Sequence, residues 1–392
     1  MVTNSRLISL ASAAAIALSL GLTGTAIQAS DSIAISNPSF QNGDNPNPGY
    51  GPISGWTENN SFSGTNATNF PFAAGTNLPD ANQVAFLQNG SAGTYTSISQ
   101  SISGLTPGDQ YWFQVFYNGR QNYGSPSLLA TYGSQTIATA GPIPVSNPNF
   151  TFLNTTFTPT SSSGTLTIGN SASFGGYGDN TLLIDSVSVI QRNPGQIVIA
   201  NPSFEGSTNE TWVFPGYITN IAGWATTGNT GVNTGNGPFA DNGAIPDGSQ
   251  IGFLQNNSSA TAQASMSQTL SGLTIGATYQ LQFYYNARAF GGTNSAMTVT
   301  LGSSTLANNL TVAAVGGTNP YDLFTADYTA TASTALLDVT NSTPFGGTAA
   351  DNTLLVDNFS LAPVTAVPEP ASLALLGLSG AGLLLVKRRR TA

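Results

Sequence analysis

The sequence predicts an all-β chain of two tandem antiparallel β-sandwiches of the jelly-roll type, set between two apolar terminal segments. Three observations predict it. Short β-branched and aromatic stretches alternate along the body with clusters of Gly, Pro, Asn and Ser. No long stretch of helical period lies between the two terminal segments. The body is also written twice, at an offset that drifts only from 164 to 172 residues. That period is too long for a solenoid repeat, so each copy is a whole domain built from many short strands.

The elements follow in order. Arg6, the uncharged run Leu7 to Leu22 and small residues up to Ala29 have the layout of a secretory signal peptide at residues 1–29. A permanent amino-terminal span fits less well, because no polar stop with basic residues follows. The first domain is placed at 31–191 and the second at 197–363, joined by QRNPGQ, a Pro-Gly turn between strands. NPSF at Asn37 recurs at Asn201, and Gly55-Trp56 recurs as Gly223-Trp224. LPDANQVAFLQN from Leu78 returns as IPDGSQIGFLQN from Ile245. The stretch Ser97 to Arg120 returns as Ser265 to Arg288 with 13 of 24 positions identical, and DNTLLIDSVSV from Asp179 returns as DNTLLVDNFSL from Asp351. The last element, at 366–392, joins an uncharged run, Ala371 to Val386, to Lys387, Arg388, Arg389 and Arg390. It reads as a single short transmembrane helix with its basic end left in the cytoplasm.

Composition removes several functions. Between the terminal segments there are 16 acidic residues and only Arg120, Arg192 and Arg288 as cations, so the body carries about −13 and no basic patch for nucleic acid. No cysteine is present, so no disulfide braces this exported chain. The absence of histidine excludes Ser-His-Asp and Cys-His catalysis and any His-ligated zinc or iron site.

The scattered motifs of each copy, NPSF, GW, PDG.Q.GFLQ, the S.SQ.LSGL strand and the closing DNTLLVDN, resemble those of galactose-binding-like jelly rolls, including carbohydrate-binding modules. The tail is similar to the PEP-CTERM sorting signal of Gram-negative bacteria, with Pro368, Glu369 and Pro370 as its motif. The resemblance implies an exported protein of the cell surface or extracellular matrix. It also implies processing by an exosortase-type enzyme, transient anchoring in the inner membrane, and a connection with biofilm and exopolysaccharide.

Strand alternation sorts QYWFQVFYNGR into two faces. Tyr111, Phe113, Val115 and Tyr117 form the core side; Gln114, Phe116, Asn118 and Arg120 share the other with Trp112. In the second copy, Gln282, Tyr284, Asn286 and Arg288 stand in register with them. An aromatic face, amides and a guanidinium suit a sugar, the aromatic against the pyranose ring and the polar groups on its hydroxyls. The alternative is a plain sheet face whose arginines pair with Asp80 and Asp247. Trp56 and Trp224 are either stacking platforms or plugs at the sandwich end. Asp185 and Asp357 fall on the apolar side of their strands, where a carboxylate must be paired, hydrogen-bonded or metal-bound. Structural calcium is one solution, and the resemblance implies Glu205 with Asp357 as its ligands. In the first copy Gln41 replaces the glutamate beside Asp185. The other solution is a carboxylate that accepts backbone N–H bonds or lies at a bulge.

The function expected is non-catalytic binding of a polysaccharide or cell-surface glycan through two modules, with avidity. The alternative is a structural biofilm or surface-layer component with no specific glycan. A glycosidase would need paired carboxylates, and the acids matched in both copies are Asp80/Asp247, Asp179/Asp351 and Asp185/Asp357.

Overall fold

The computed structural model describes residues 31–41, 49–67, 71–80, 83–90, 95–172, 179–207, 221–234, 243–288, 294–313 and 321–364. The signal peptide at 1–29, the helix of the tail and its Pro368, Glu369 and Pro370 lie outside the described residues. Gln28–Val364 forms one compact unit. Every strand in it pairs antiparallel with its neighbours, and there is no helix among the described residues.

The first copy holds β1 (Gly49–Tyr50), β2 (Thr57–Glu58), β3 (Ser63–Ala67), β4 (Gln83–Asn89), β5 (Thr96–Ser103) and β6 (Tyr111–Gly119). It continues with β7 (Leu128–Tyr132), β8 (Gln135–Ala140), β9 (Thr151–Phe157), β10 (Ser163–Asn170) and β11 (Asn180–Gln191). One sheet runs β1-β3-β4-β11-β6-β9 and the other β2-β5-β10-β7-β8. The second copy holds β12 (Ala225–Thr227), β13 (Asn229–Thr234), β14 (Gln250–Asn256), β15 (Ser265–Ser271) and β16 (Thr278–Ala287). Its remaining strands are β17 (Ser295–Leu301), β18 (Ser304–Val312), β19 (Asp322–Thr329), β20 (Thr334–Asn341) and β21 (Asn352–Pro363). Their orders, β13-β14-β21-β16-β19 and β12-β15-β20-β17-β18, reproduce the first copy strand for strand apart from β1. The two-fold writing of the sequence is therefore a two-fold writing of the fold.

Each sandwich closes on its own apolar core. In the first, Tyr111, Phe113 and Val115 of β6 meet Ile98, Leu166 and Ile168 of the facing sheet. Tyr279, Leu281 and Phe283 of β16 meet Met266, Val299 and Leu337 in the second. Burial of such side chains contributes roughly 1.5–3 kcal/mol each. At one end, buried asparagines tie the two sheets together. Asn89 Nδ2 donates to the Asn170 and Ala172 carbonyls, while Asn170 Nδ2 donates to those of Leu87 and Asn180. Asn256 and Asn341 repeat the clasp in the second copy.

The closing strands depart from simple alternation. A bulge interrupts β11 between Asp185 and Ser188, and β21 is irregular where it passes Gln282 and Tyr284. Ser186 and Asn358 both adopt positive φ, 52° in each case. The extra residue shifts the phase of the side chains. Leu182, Ile184, Val187 and Val189 all enter the core, whereas Leu183 lies in a separate cluster with Phe72, Phe86 and Leu78. In the second copy Leu355 leaves the main core likewise. The expectation that Asp185 and Asp357 fall on the apolar side of their strands is thus corrected: Val187 and Phe359 face the main cores and the aspartates do not. Each precedes the bulge and lies on the outer side of its sheet, in phase with Leu183 or Leu355.

Candidate functional site

The faces expected to meet a sugar are largely covered. Trp112, Gln114 and Asn118 are buried, with Phe116 and Arg120 partly so; Gln282 and Asn286 are buried, with Tyr284 and Arg288 partly so. Asn118 Oδ1 accepts the Gly119 N–H and its amide donates to the Asn147 carbonyl; Asn286 Oδ1 accepts the Ala287 N–H. The arginines pair with Asp179 and Asp351, not with Asp80 and Asp247. Arg120 is also sandwiched between the rings of Phe72 and Tyr123, at 4.7 and 4.0 Å. Trp56 and Trp224 are buried, pack on Phe40 and Phe204, and donate their indole N–H to the Asn37 and Asn201 carbonyls. Both belong to the buried cores of their sandwiches.

The acids form two comparable clusters behind the bulges. Asp185 accepts the N–H of Ser186 at 2.8 Å and of Asp80 at 3.3 Å. Asp357 accepts those of Asn358 at 2.8 Å and Asp247 at 2.9 Å. Burial, and then the Asp80 charge, pushes Asp185 well above the usual carboxylate range, against those hydrogen bonds. Burial does the same to Asp357, with the charges of Asp247 and Glu205 adding to it. Glu205 Oε1 accepts the N–H of Ser249 and Gln250, and burial still raises it to about 7. Gly248 makes this approach feasible: its φ is +65°, and a Cβ there would lie 2.3 Å from the Glu205 carboxyl carbon.

The copies differ at this point. In the first, the Gln41 amide donates to the carbonyls of Ser39 and Gln83, where the second copy presents the Glu205 carboxylate. In the second, Gln250 Oε1 is buried with no hydrogen-bond partner. Among the described residues no group of three or more acidic side chains is arranged to hold a metal. A hard cation here would draw on Glu205, Asp357 and neutral oxygens such as that of Gln250.

Among the described residues, an opening lies between the two sandwiches. Gln114, on the outer face of β6, donates to the Ile199 carbonyl at 3.1 Å and accepts the Asn201 N–H at 3.3 Å. Ser32 N–H meets the Asp247 carboxylate at 3.1–3.2 Å, and the hydroxyls of Ser32 and Ser203 lie 2.7 Å apart. Beside these contacts runs a cleft of about 390 Å³. Phe116 and Phe152, with ring centres 5.0 Å apart, make one wall. The other wall is the hydroxyl face of β15, with Ser267, Thr269 and Ser271, and Gln268 from the opposite side of the strand also borders the cleft. Gln268 is fixed by bonds to Ala200 and Gly223. A second hollow of about 500 Å³, lined by Asn77, Pro79 and Trp224, shares Gly223 and Ala225 with the first. Among the described residues, neither lining includes a charged one. Of the sequence candidates, the structure brings Phe116 to the first hollow and Trp224 to the second. The β15 wall escaped sequence reasoning, although its alternating hydroxyls in SMSQTLS were the signal.

Comparison with known proteins gives two family matches. The HpiC1-like model, described as HpiC1 cyclase, matches residues 195–340, from the end of the joint through most of the second copy. The PEP-CTERM protein-sorting motif matches residues 366–390, so the chain carries that motif. No curated protein matches the chain. Among solved structures, the CBM22-1-CBM22-2 tandem domain of Xyn10C from Paenibacillus barcinonensis is 13% identical, with 86% of this chain and 99% of that one covered and a TM-score of 0.28. TmCBM61 in complex with β-1,4-galactotriose is 18% identical, with 43% and 98% covered and a TM-score of 0.25. The CBM22-1-GH10 modules of Xyn10B from Clostridium thermocellum, complexed with xylohexaose, are 14% identical, with 43% and 29% covered and a TM-score of 0.28. At these scores the likeness adds nothing to what the sheets themselves show.

Proposed function

We propose that the chain is an exported cell-surface protein that binds a neutral polysaccharide without cleaving it. The sorting motif at 366–390 supports export and processing by an exosortase-type enzyme at a Gram-negative inner membrane. The cleft between the sandwiches carries the binding reading. Its size suits a ligand, the Phe116–Phe152 pair offers an apolar wall for pyranose rings, and the β15 hydroxyls face it. The described lining residues, all uncharged, favour a neutral chain over an acidic one. Glycan arrays probed with the protein should show neutral polysaccharide ligands, lost on Phe116→Ala. Products released from such polysaccharides and abolished by Asp247→Asn would overturn the non-catalytic reading.

Calcium belongs to the same proposal. The second copy, with Glu205, Asp357 and the orphaned Gln250 oxygen, is the one suited to an ion, while the Gln41 amide fills that role in the first. Calcium should raise the melting temperature and chelator lower it; no change in either would remove the ion from the account.

The HpiC1-like match favours a second reading, a cyclase. Acid-promoted ring closure needs a proton donor that faces its substrate. The raised carboxyls of Asp185 and Asp357 are fully buried behind backbone N–H bonds, and among the described residues neither cleft lining includes an acid. The binding reading therefore leads.

A further inference from the structure

We infer, building on the binding reading above, that the two hollows between the sandwiches act as one groove. It takes an internal stretch of a linear neutral glycan, not a single sugar or a chain end. The hollows meet at Gly223 and Ala225, which line both. At about 390 and 500 Å³, each alone is in the range of roughly 300–1,000 Å³ that holds a drug-sized molecule. Both are open rather than enclosed, so a chain can enter at one and leave at the other.

Both copies build the passage. On the first-copy side, Asn149 is held against Asn77 of the second hollow, and Phe152 of the first hollow follows three residues on. Their Cα atoms therefore lie no more than about 11 Å apart, a stretch that a few linked sugar units cover. On the second-copy side, Gly223 lets its backbone pass close to Ala200. Its φ is +81°, and a Cβ there would lie 2.6 Å from the Ala200 Cβ. Ala225 is exposed and presents only a methyl group. Among the described residues, then, neither residue shared by the linings carries a side chain large enough to divide the hollows.

The hollows offer different groups. The first has the Phe116–Phe152 rings and, on its other wall, the hydroxyls of Ser267, Thr269 and Ser271. The second has an amide pair at its rim: Asn77 Nδ2 donates to Asn149 Oδ1 at 2.7 Å, and both residues are exposed. That bond leaves Asn77 Oδ1 to accept from a sugar hydroxyl and Asn149 Nδ2 to donate to one. The Asn77 N–H also donates to the Pro148 carbonyl at 2.7 Å, so the rim is set before a ligand arrives. Stacking in one hollow and directed hydrogen bonds in the other act on the same ligand only when it is long enough to lie in both. With uncharged residues in both described linings, the two suit one neutral chain.

Titration calorimetry of the purified protein with neutral gluco-, manno- and galacto-oligosaccharides, disaccharide to octasaccharide, tests this. In at least one series the affinity should rise about tenfold from the shortest to the longest member, the gain of one or two added hydrogen bonds. Ala225→Trp, which blocks the junction, and Asn77→Ala, which removes the amide of the second hollow, should each abolish that gain at unchanged melting temperature. Asn77→Ala keeps the test open should the larger substitution lower stability. Phe116→Ala should weaken short and long chains alike. Affinity independent of length, or a tenfold gain that survives both variants, would overturn the single groove while leaving the binding reading in place. No binding of any member in any series would remove both.

Discussion

The four clasp asparagines, Asn89, Asn170, Asn256 and Asn341, each donate through one amide to carbonyls across the gap between two sheets. In a chain without cysteine they are the cross-sheet ties at that end. Removing one leaves buried carbonyls without donors, which costs about 1–3 kcal/mol. Asn341→Ala should lower the unfolding free energy by about that much in a denaturant titration, and Asn170→Ala should do the same in the first copy. Sequence reading saw the repeated FLQN but not its role, because an asparagine at a strand end looks like any turn residue until both sheets are in place. Glu205 gives a pH prediction. Its folded carboxyl titrates near about 7 against an ordinary 4.5, so the folded chain holds the proton more tightly. The resulting stabilisation is complete below pH 4.5 and is lost as pH rises through about 7. Melting curves in chelator should fall across that window, and Glu205→Gln, which copies Gln41, should flatten the fall.

At the scale of the element, the closing strands show what alternation can and cannot reveal. The core side of β6, Tyr111, Phe113 and Val115, was legible because nothing interrupts the period there. β21 was not, because Asn358 in a left-handed conformation inserts one residue and reverses the sides. Asparagine tolerates that conformation, whereas a β-branched residue does not. Asn358→Val should therefore destabilise by about 1–3 kcal/mol, while Asn358→Gly stays near wild type in the same thermal assay. The bulge also explains the aspartate before it, since it frees the Asn358 N–H for the Asp357 carboxylate. The arginine partners were missed for a related reason. Arg120 and Arg288 end strands that run beside the starts of β11 and β21, so Asp179 and Asp351 lie in reach across the sheet although 59 and 63 residues away in sequence.

For the whole molecule, the repeat made the two-domain plan readable, but no property of a single strand announces that one domain packs on another. Gln114 was a reasonable candidate ligand residue until Ile199 and Asn201 of the second copy took up its amide. The same packing leaves the cleft between Phe116 and the β15 hydroxyls, which is a property of the pair. Affinity electrophoresis in gels carrying neutral or acidic polysaccharide tests that site from both walls. The wild-type protein should be retarded by a neutral polysaccharide, and both Phe116→Ala on one wall and Thr269→Arg on the other should abolish retardation while the melting temperature holds. Free migration of the wild type in every polysaccharide, or retardation unchanged in both variants, would contradict it.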